Sequence, residues 1–364
     1  MNTEVRVNAP QPVDMLELLP RYSRASGLGR VRWVASSNES TIPPSSAVQA
    51  AVAEATAHGN HYPSLFGEEL AHAIAERFEL GDAQVVVGPG SLALLQQALI
   101  AFTGAGTEVV YGWRSYEAYP MLVTLAGAKS VQVPLDDAHR YDVDGLIAAV
   151  GPNTRSLIIC NPNNPTGTML TQEEVQRILD AVPKHVLVIL DEAYREFTDA
   201  DHDAVGWITE YSNLAIMRTF SKAYGLAGLR AGYLISNAGL SAAVQRTLPP
   251  FSLSATASAA ALAAWNDLEH TAKIVDIASQ ERDRLQSNLR ALGVDTPPSG
   301  GNFVWISAPT SARRLEELCV HEGVAVRAFD DAGVRITTGN ADASDACVRA
   351  VTALIAERGS VEYL

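Results

Sequence analysis

Leu157-Ile158-Ile159-Cys160-Asn161-Pro162-Asn163-Asn164-Pro165-Thr166-Gly167 is an apolar run that stops at a cluster of Pro, Asn and Gly. A short continuous apolar run bounded by turn residues suits a strand buried on both faces of a parallel sheet. In open α/β sheets, ligands bind just beyond the carboxyl ends of such strands. The cluster is equally a tight turn, since Asn-Pro and Thr-Gly are ordinary turn chemistry. Its neighbours along the chain must decide between the two.

Downstream the same pattern recurs twice. A second apolar run, 186–190, delivers Asp191-Glu192-Ala193-Tyr194. A carboxylate there costs desolvation energy unless a cation or strong donor meets it, and a protonated pyridine nitrogen is such a partner; a helix-capping Asp is the plainer reading. A third run, 214–219, leads into Phe220-Ser221-Lys222-Ala223-Tyr224-Gly225-Leu226-Ala227-Gly228-Leu229-Arg230. A lysine in such a loop can be held deprotonated for imine formation, with Ser221 and Arg230 bracketing it as a hydroxyl donor and a fixed cation suited to a phosphate. A surface lysine in a Gly-rich loop is the alternative.

Working outward, strands are expected at 84–87, 108–111, 130–133, 156–160, 186–190, 214–219 and 232–236, interleaved with helices that include 47–57 and 68–78. Seven such strands make a three-layer α/β/α domain with a mostly parallel sheet. Residues 1–44, rich in Pro and Ser, read as an N-terminal arm joining a smaller domain, and 45–250 as the large domain. After Pro249-Pro250 an Ala-rich stretch, 254–292, reads as one or two helices. Strands at 303–306, 324–327 and 334–337 and helices at 311–321 and 342–357 complete a smaller α+β domain over 251–364.

Composition excludes other classes. With 41 acidic against 27 basic residues, a formal net charge of −14, the chain lacks the dense Lys/Arg surface that holds nucleic acid. Three scattered cysteines, Cys160, Cys319 and Cys347, form no CxxC pair and no zinc-site array, so no metal is expected. The N-terminus shows no secretory signal, and no apolar run approaches the roughly 20 residues of a membrane helix. A cytoplasmic protein, not attached to membrane, is expected.

The order Asn-Pro-Thr-Gly, then Asp-x-x-Tyr, then Ser-Lys-(x)7-Arg, each at a strand end, resembles the fold-type-I aminotransferases that depend on pyridoxal 5'-phosphate. The closest likeness is to the branch of histidinol-phosphate and aromatic amino-acid (phenylalanine) aminotransferases, over nearly the whole chain from about Met15. The resemblance implies that Lys222 carries the cofactor as a Schiff base and then shuttles the proton between substrate Cα and cofactor C4′. It implies that Asp191 pairs with the pyridinium nitrogen, that Asn164 and Tyr194 donate to the phenolic oxygen, and that Tyr116 stacks on the ring. Gly90, Ser91 and Leu92, opening a helix, would cradle the phosphate with Ser221 and Arg230. Tyr62 would reach across a homodimer to the partner's phosphate. Arg335 would clamp the substrate α-carboxylate in two parallel bonds.

One segment departs from the family pattern. The common Asn-Glu-Asn-Pro stretch is here Ser37-Asn38-Glu39-Ser40-Thr41-Ile42-Pro43-Pro44, near the substrate in relatives, with Asn38 and Asn164 as candidate substrate contacts. Arg327 either binds a distal substrate anion or serves as a structural ion-pair partner. Residues 87–92, 111–116 and 132–135 look more like the aromatic branch, so transfer between aromatic amino acids and 2-oxoglutarate is the expected activity. Histidinol phosphate is the alternative, and a decarboxylase on the same scaffold or a non-catalytic regulator the remaining ones.

Overall fold

A computed structural model of the chain describes residues 13, 19, 25–198, 203–329 and 332–360. Most of the first 24 residues of the expected arm, Met15 included, lie outside them. Twelve strands occur among the described residues: β1 (Trp33–Val34), β2 (Val85–Gly88), β3 (Glu108–Trp113), β4 (Lys129–Pro134), β5 (Thr154–Cys160), β6 (Leu187–Asp191), β7 (Leu214–Thr219), β8 (Gly232–Ser236), β9 (Phe303–Ser307), β10 (Val324–Ala325), β11 (Arg327–Phe329) and β12 (Gly333–Thr337).

Seven of them form one sheet in the order β2-β8-β7-β6-β5-β3-β4, with only β8 antiparallel to its neighbours. The seven expected strands are all present, displaced by at most a few residues. Every residue of β2, β6, β7 and β8 is buried, which explains why these strands read as unbroken apolar runs. Helices close both faces by presenting apolar stripes. In Gln172–Ala181, for example, Val175, Ile178 and Leu179 are buried, and a capping box of Thr171 and Glu174 fixes the start. Each fully buried aliphatic side chain of this kind contributes about 1.5–3 kcal/mol.

A second core gathers Leu285, Leu289, Val304, Ile306, Leu315, Val334, Ile336 and Leu354. It lies against the antiparallel sheet β11-β12-β9 and the two-stranded pair β1-β10. The expected strand at 324–327 is split: Val324–Ala325 pairs with β1 and Arg327–Phe329 with β12, so Val326 is where the chain changes sheets. The Ala-rich stretch forms two helices, Ala255–Asn266 and Leu268–Ala291. Ala257, Ala260, Ala261 and Trp265 of the first are buried in the large core, whereas Leu285 and Leu289 of the second belong to the smaller one. The core therefore changes along the helix Leu268–Ala291 and not at Pro249-Pro250, because the alanines pack closely on the helix Ser46–Ala57.

This topology positions the site. β5, β6 and β7 are adjacent and parallel, with Cys160 opposite Asp191 and Asp191 opposite Met217. Neighbouring strands lie about 4.8 Å apart, so the three polar segments that follow them emerge side by side. Antiparallel β8 brings Gly232 to the same edge, opposite Thr219 on one side and Gly88 on the other.

Candidate active site

At this edge lies a cavity of about 540 Å³. Lys222 projects into it from the loop after β7, and its Nζ donates to the carbonyl oxygens of Ser37 at 3.0 Å and Asn38 at 3.3 Å. Burial, with the nearby Arg335 charge, pulls its pKa from 10.5 down to about 7. About half of the amine is thus neutral, and so nucleophilic, near neutral pH.

Across the floor, Asp191 at the end of β6 accepts from the Tyr119 hydroxyl at 2.7 Å through Oδ2. Its Oδ1 is buried with no hydrogen-bond partner among the described residues. Burial raises the carboxyl pKa to about 6, against the pull of the Tyr119 hydrogen bond. An unsatisfied buried acceptor costs about 1–3 kcal/mol, and a protonated ring nitrogen would remove that cost.

The anion-binding end is made by backbone. The helix Ser91–Phe102 starts at Gly90, whose φ is +91° and which offers no side-chain cap, so the first-turn N–H groups are left for an incoming group. A Cβ on Gly90 would sit 2.6 Å from Arg230 Nη2. A Cβ on Gly232 would strike the backbone nitrogen of Ser91 and lie 2.9 Å from the Gly90 carbonyl carbon. Glycine at both positions keeps this end open. Arg230 Nη1 donates to Ser221 Oγ at 3.2 Å and to the Ala227 carbonyl at 2.9 Å.

On the opposite wall, Arg335 of β12 donates to Asn164 Oδ1 and to the Ser36 carbonyl, both at 2.5 Å. Asn164 Nδ2 makes no hydrogen bond among the described residues. Arg327, the β11 residue directly opposite Arg335, holds Glu117 through Nε at 3.1 Å and through Nη2. The loop carrying Asn164 is anchored by Asn163, whose Oδ1 accepts from Ser115 and Tyr141 at 2.8 and 2.9 Å and whose Nδ2 donates to Thr166. A neutral nucleophilic amine, a buried carboxylate, an uncapped helix start beside a guanidinium and a second guanidinium opposite can hold a flat anionic cofactor and a carboxylate substrate.

Residues 34–353 match the family model of aminotransferase class I and II. The chain belongs to that family. This aminotransferase is 42% identical over 335 residues to an aromatic amino acid aminotransferase of Streptomyces coelicolor, covering 91% of this chain and 93% of that one. It is 44% identical over 313 residues to one of Thermobifida fusca, covering 85% and 87%. Among solved structures it resembles the histidinol-phosphate aminotransferase of Sinorhizobium meliloti in complex with pyridoxal-5'-phosphate, with a TM-score of 0.87, 28% identity and 96% and 98% of the two chains covered. It also resembles an aromatic aminotransferase from Pyrococcus horikoshii, with a TM-score of 0.82, 25% identity and 95% and 99% coverage.

Of the sequence candidates, the aminotransferase's cavity is lined by Ser91, Leu92, Tyr116, Asn164, Asp191, Tyr194, Ser221, Lys222, Arg230, Arg327 and Arg335. Gly90 lies just behind Ser91. Asn38 is buried outside the lining. Its Nδ2 donates to the Tyr194 hydroxyl at 2.9 Å and its Oδ1 accepts from Thr337 at 3.0 Å, so its side chain braces Tyr194, while its neighbours Ser37 and Glu39 face the cavity. Tyr62 is away from this cavity, 83% exposed and stacked on Phe251 at 4.8 Å. Tyr119, Glu117 and Ser36 were not among the candidates. Tyr119 reads as core in the sequence, Ser36 acts through its carbonyl, and Glu117 gains meaning only from Arg327, 210 residues away.

Proposed function

We propose that this enzyme moves the amino group between an aromatic amino acid and 2-oxoglutarate by a ping-pong mechanism, using pyridoxal 5'-phosphate held at Lys222. The observation that carries the substrate reading is the Arg327–Glu117 pair beside Arg335. The Arg335 guanidinium suits an α-carboxylate, while the next cation already has an internal carboxylate, so an uncharged aromatic side chain can lie beside it without facing an uncompensated charge. The relatives named above as aromatic amino acid aminotransferases support the same choice.

Pyridoxal 5'-phosphate supplies a conjugated pyridine that takes up the electron pair released at the substrate Cα. The chain does the rest. Lys222, about half neutral near pH 7, would hold the cofactor and would take and return the Cα proton. Asp191 would keep the ring nitrogen protonated through Oδ1, which has no partner among the described residues. Asn164 and Tyr194 would donate to the phenolic oxygen, and Asn38 holds the Tyr194 hydroxyl in place. Tyr116, in the cavity wall, would cover one ring face. The Ser91 and Leu92 amides, with Gly90, Ser221 and Arg230, would bind the phosphate, and Arg335 would orient the substrate carboxylate.

We also read the enzyme as a cytoplasmic homodimer in which exposed Tyr62 reaches the partner's phosphate. Three free buried thiols fit a reducing compartment. No helix among the described residues is long and apolar enough to cross a membrane. Histidinol phosphate is the second reading, supported by the likeness to the Sinorhizobium meliloti enzyme. Titrating the cofactor-loaded protein with phenylalanine, tyrosine, histidinol phosphate and aspartate tests it. Phenylalanine and tyrosine are expected to bleach the visible band of the lysine-bound cofactor. Bleaching by histidinol phosphate alone overturns the aromatic reading.

A further inference from the structure

Arg327 and Arg335 are cross-strand partners on β11 and β12, so their side chains leave the same face of the sheet, and both enter the cavity. Both residues are buried, at 6% exposure each. Two such guanidinium groups side by side repel each other and are costly to desolvate unless a negative or strongly polar partner meets each. Arg335 is met by the neutral oxygens of Asn164 and Ser36. Arg327 is met by a full charge, the carboxylate of Glu117, in a two-point contact that a guanidinium and a carboxylate make well.

Glu117 is built to let go. Its carboxylate bonds only to Arg327 among the described residues. Although it precedes the helix Ala118–Leu125, it makes no capping bond to that helix. Its side chain keeps 21% of its exposure, against 8% for Arg327, so the carboxylate is the member of the pair that can turn toward water at the smaller cost. It also directly follows Tyr116, in the cavity wall.

An aminotransferase acting on aromatic amino acids and an acidic oxo-acid must hold an uncharged ring and a second carboxylate in one cavity. We propose that Glu117 is the specificity residue that reconciles them: its carboxylate occupies Arg327 when the bound side chain is uncharged and yields Arg327 to the distal carboxylate when the substrate carries one. This deepens the function proposed above and rests on it. No covalent step is involved; one carboxylate replaces another on the same guanidinium.

The test is single-turnover amine transfer to the cofactor-loaded enzyme from L-phenylalanine and from L-glutamate. Glu117→Gln removes the competing carboxylate from Arg327, so the ratio of glutamate to phenylalanine efficiency is expected to rise at least about tenfold, the low end of measured couplings between close charge pairs. Glu117→Asp is expected to keep the wild-type ratio within about threefold, because the charge remains. The double variant Glu117→Gln/Arg327→Gln is expected to lower the ratio of glutamate to phenylalanine efficiency at least about tenfold below that of the wild type. An unchanged ratio in Glu117→Gln, or an unlowered ratio in the double variant, overturns the proposal while leaving the aromatic function standing. Wild-type enzyme inert toward both donors overturns that function and this proposal together.

Discussion

At the scale of single residues, the chemistry depends on an amine and a carboxyl whose charges are set by burial. Lys222 is held near 7, down from 10.5, because the enclosed ammonium loses water and faces Arg335. Below that pH the amine is protonated and cannot attack; above it, the amine is free. The rate at which cofactor-free protein covalently captures pyridoxal phosphate is therefore expected to climb about tenfold per pH unit up to about pH 7 and then level off. A rate still rising between pH 8 and 10 would show an ordinary lysine. The sequence named Lys222 and Asp191 because each ends or follows an apolar strand inside a recognisable pattern, and Arg335 through the family resemblance alone. It was silent on Glu117 and Tyr119, because a partner contributed from a distant element leaves no local pattern, and an interior tyrosine looks like core whether or not its hydroxyl meets a carboxylate.

At the scale of elements, the central strands were legible because they are buried on both faces, and buried faces leave runs of Val, Ile and Leu. What was hidden is the register between elements. β8 must lie against the start of the helix Ser91–Phe102, and only the absence of a side chain at Gly232 allows it. Gly232→Ala would push backbone against backbone, at the Ser91 nitrogen and the Arg218 carbonyl 3.1 Å away, and would move the N–H groups proposed to hold the phosphate. Overpacking of this kind typically costs about 1–3 kcal/mol. Equilibrium dialysis of pyridoxal phosphate should show binding weakened by about tenfold or more. Unaltered affinity in a folded Gly232→Ala protein would remove the helix start from the phosphate site. The split of the expected strand at 324–327 has the same origin: Ala325 and Arg327 read as one alternating run, yet they pair with different sheets.

At the scale of the whole molecule, the cavity is a joint product of two cores. The large sheet supplies Lys222, Asp191, Asn164 and the helix start. β11 and β12 supply the two arginines, and the segment at Ser36–Glu39 closes over Lys222 and Arg335 through main-chain carbonyls. Asn38 ties that segment down with φ +54°, bonded to Thr337 and Tyr194. Such an assembly can bind one carboxylate substrate, release it and bind another, which is what a two-stroke transfer of an amino group requires. The most direct test is to mix the cofactor-loaded enzyme with L-phenylalanine and follow phenylpyruvate, first without and then with 2-oxoglutarate, in wild type and in Lys222→Ala. Wild type is predicted to release one phenylpyruvate per chain and stop, then to turn over continuously once 2-oxoglutarate is added, while Lys222→Ala does neither. Continuous turnover by Lys222→Ala, or no phenylpyruvate from the wild type, would contradict the account.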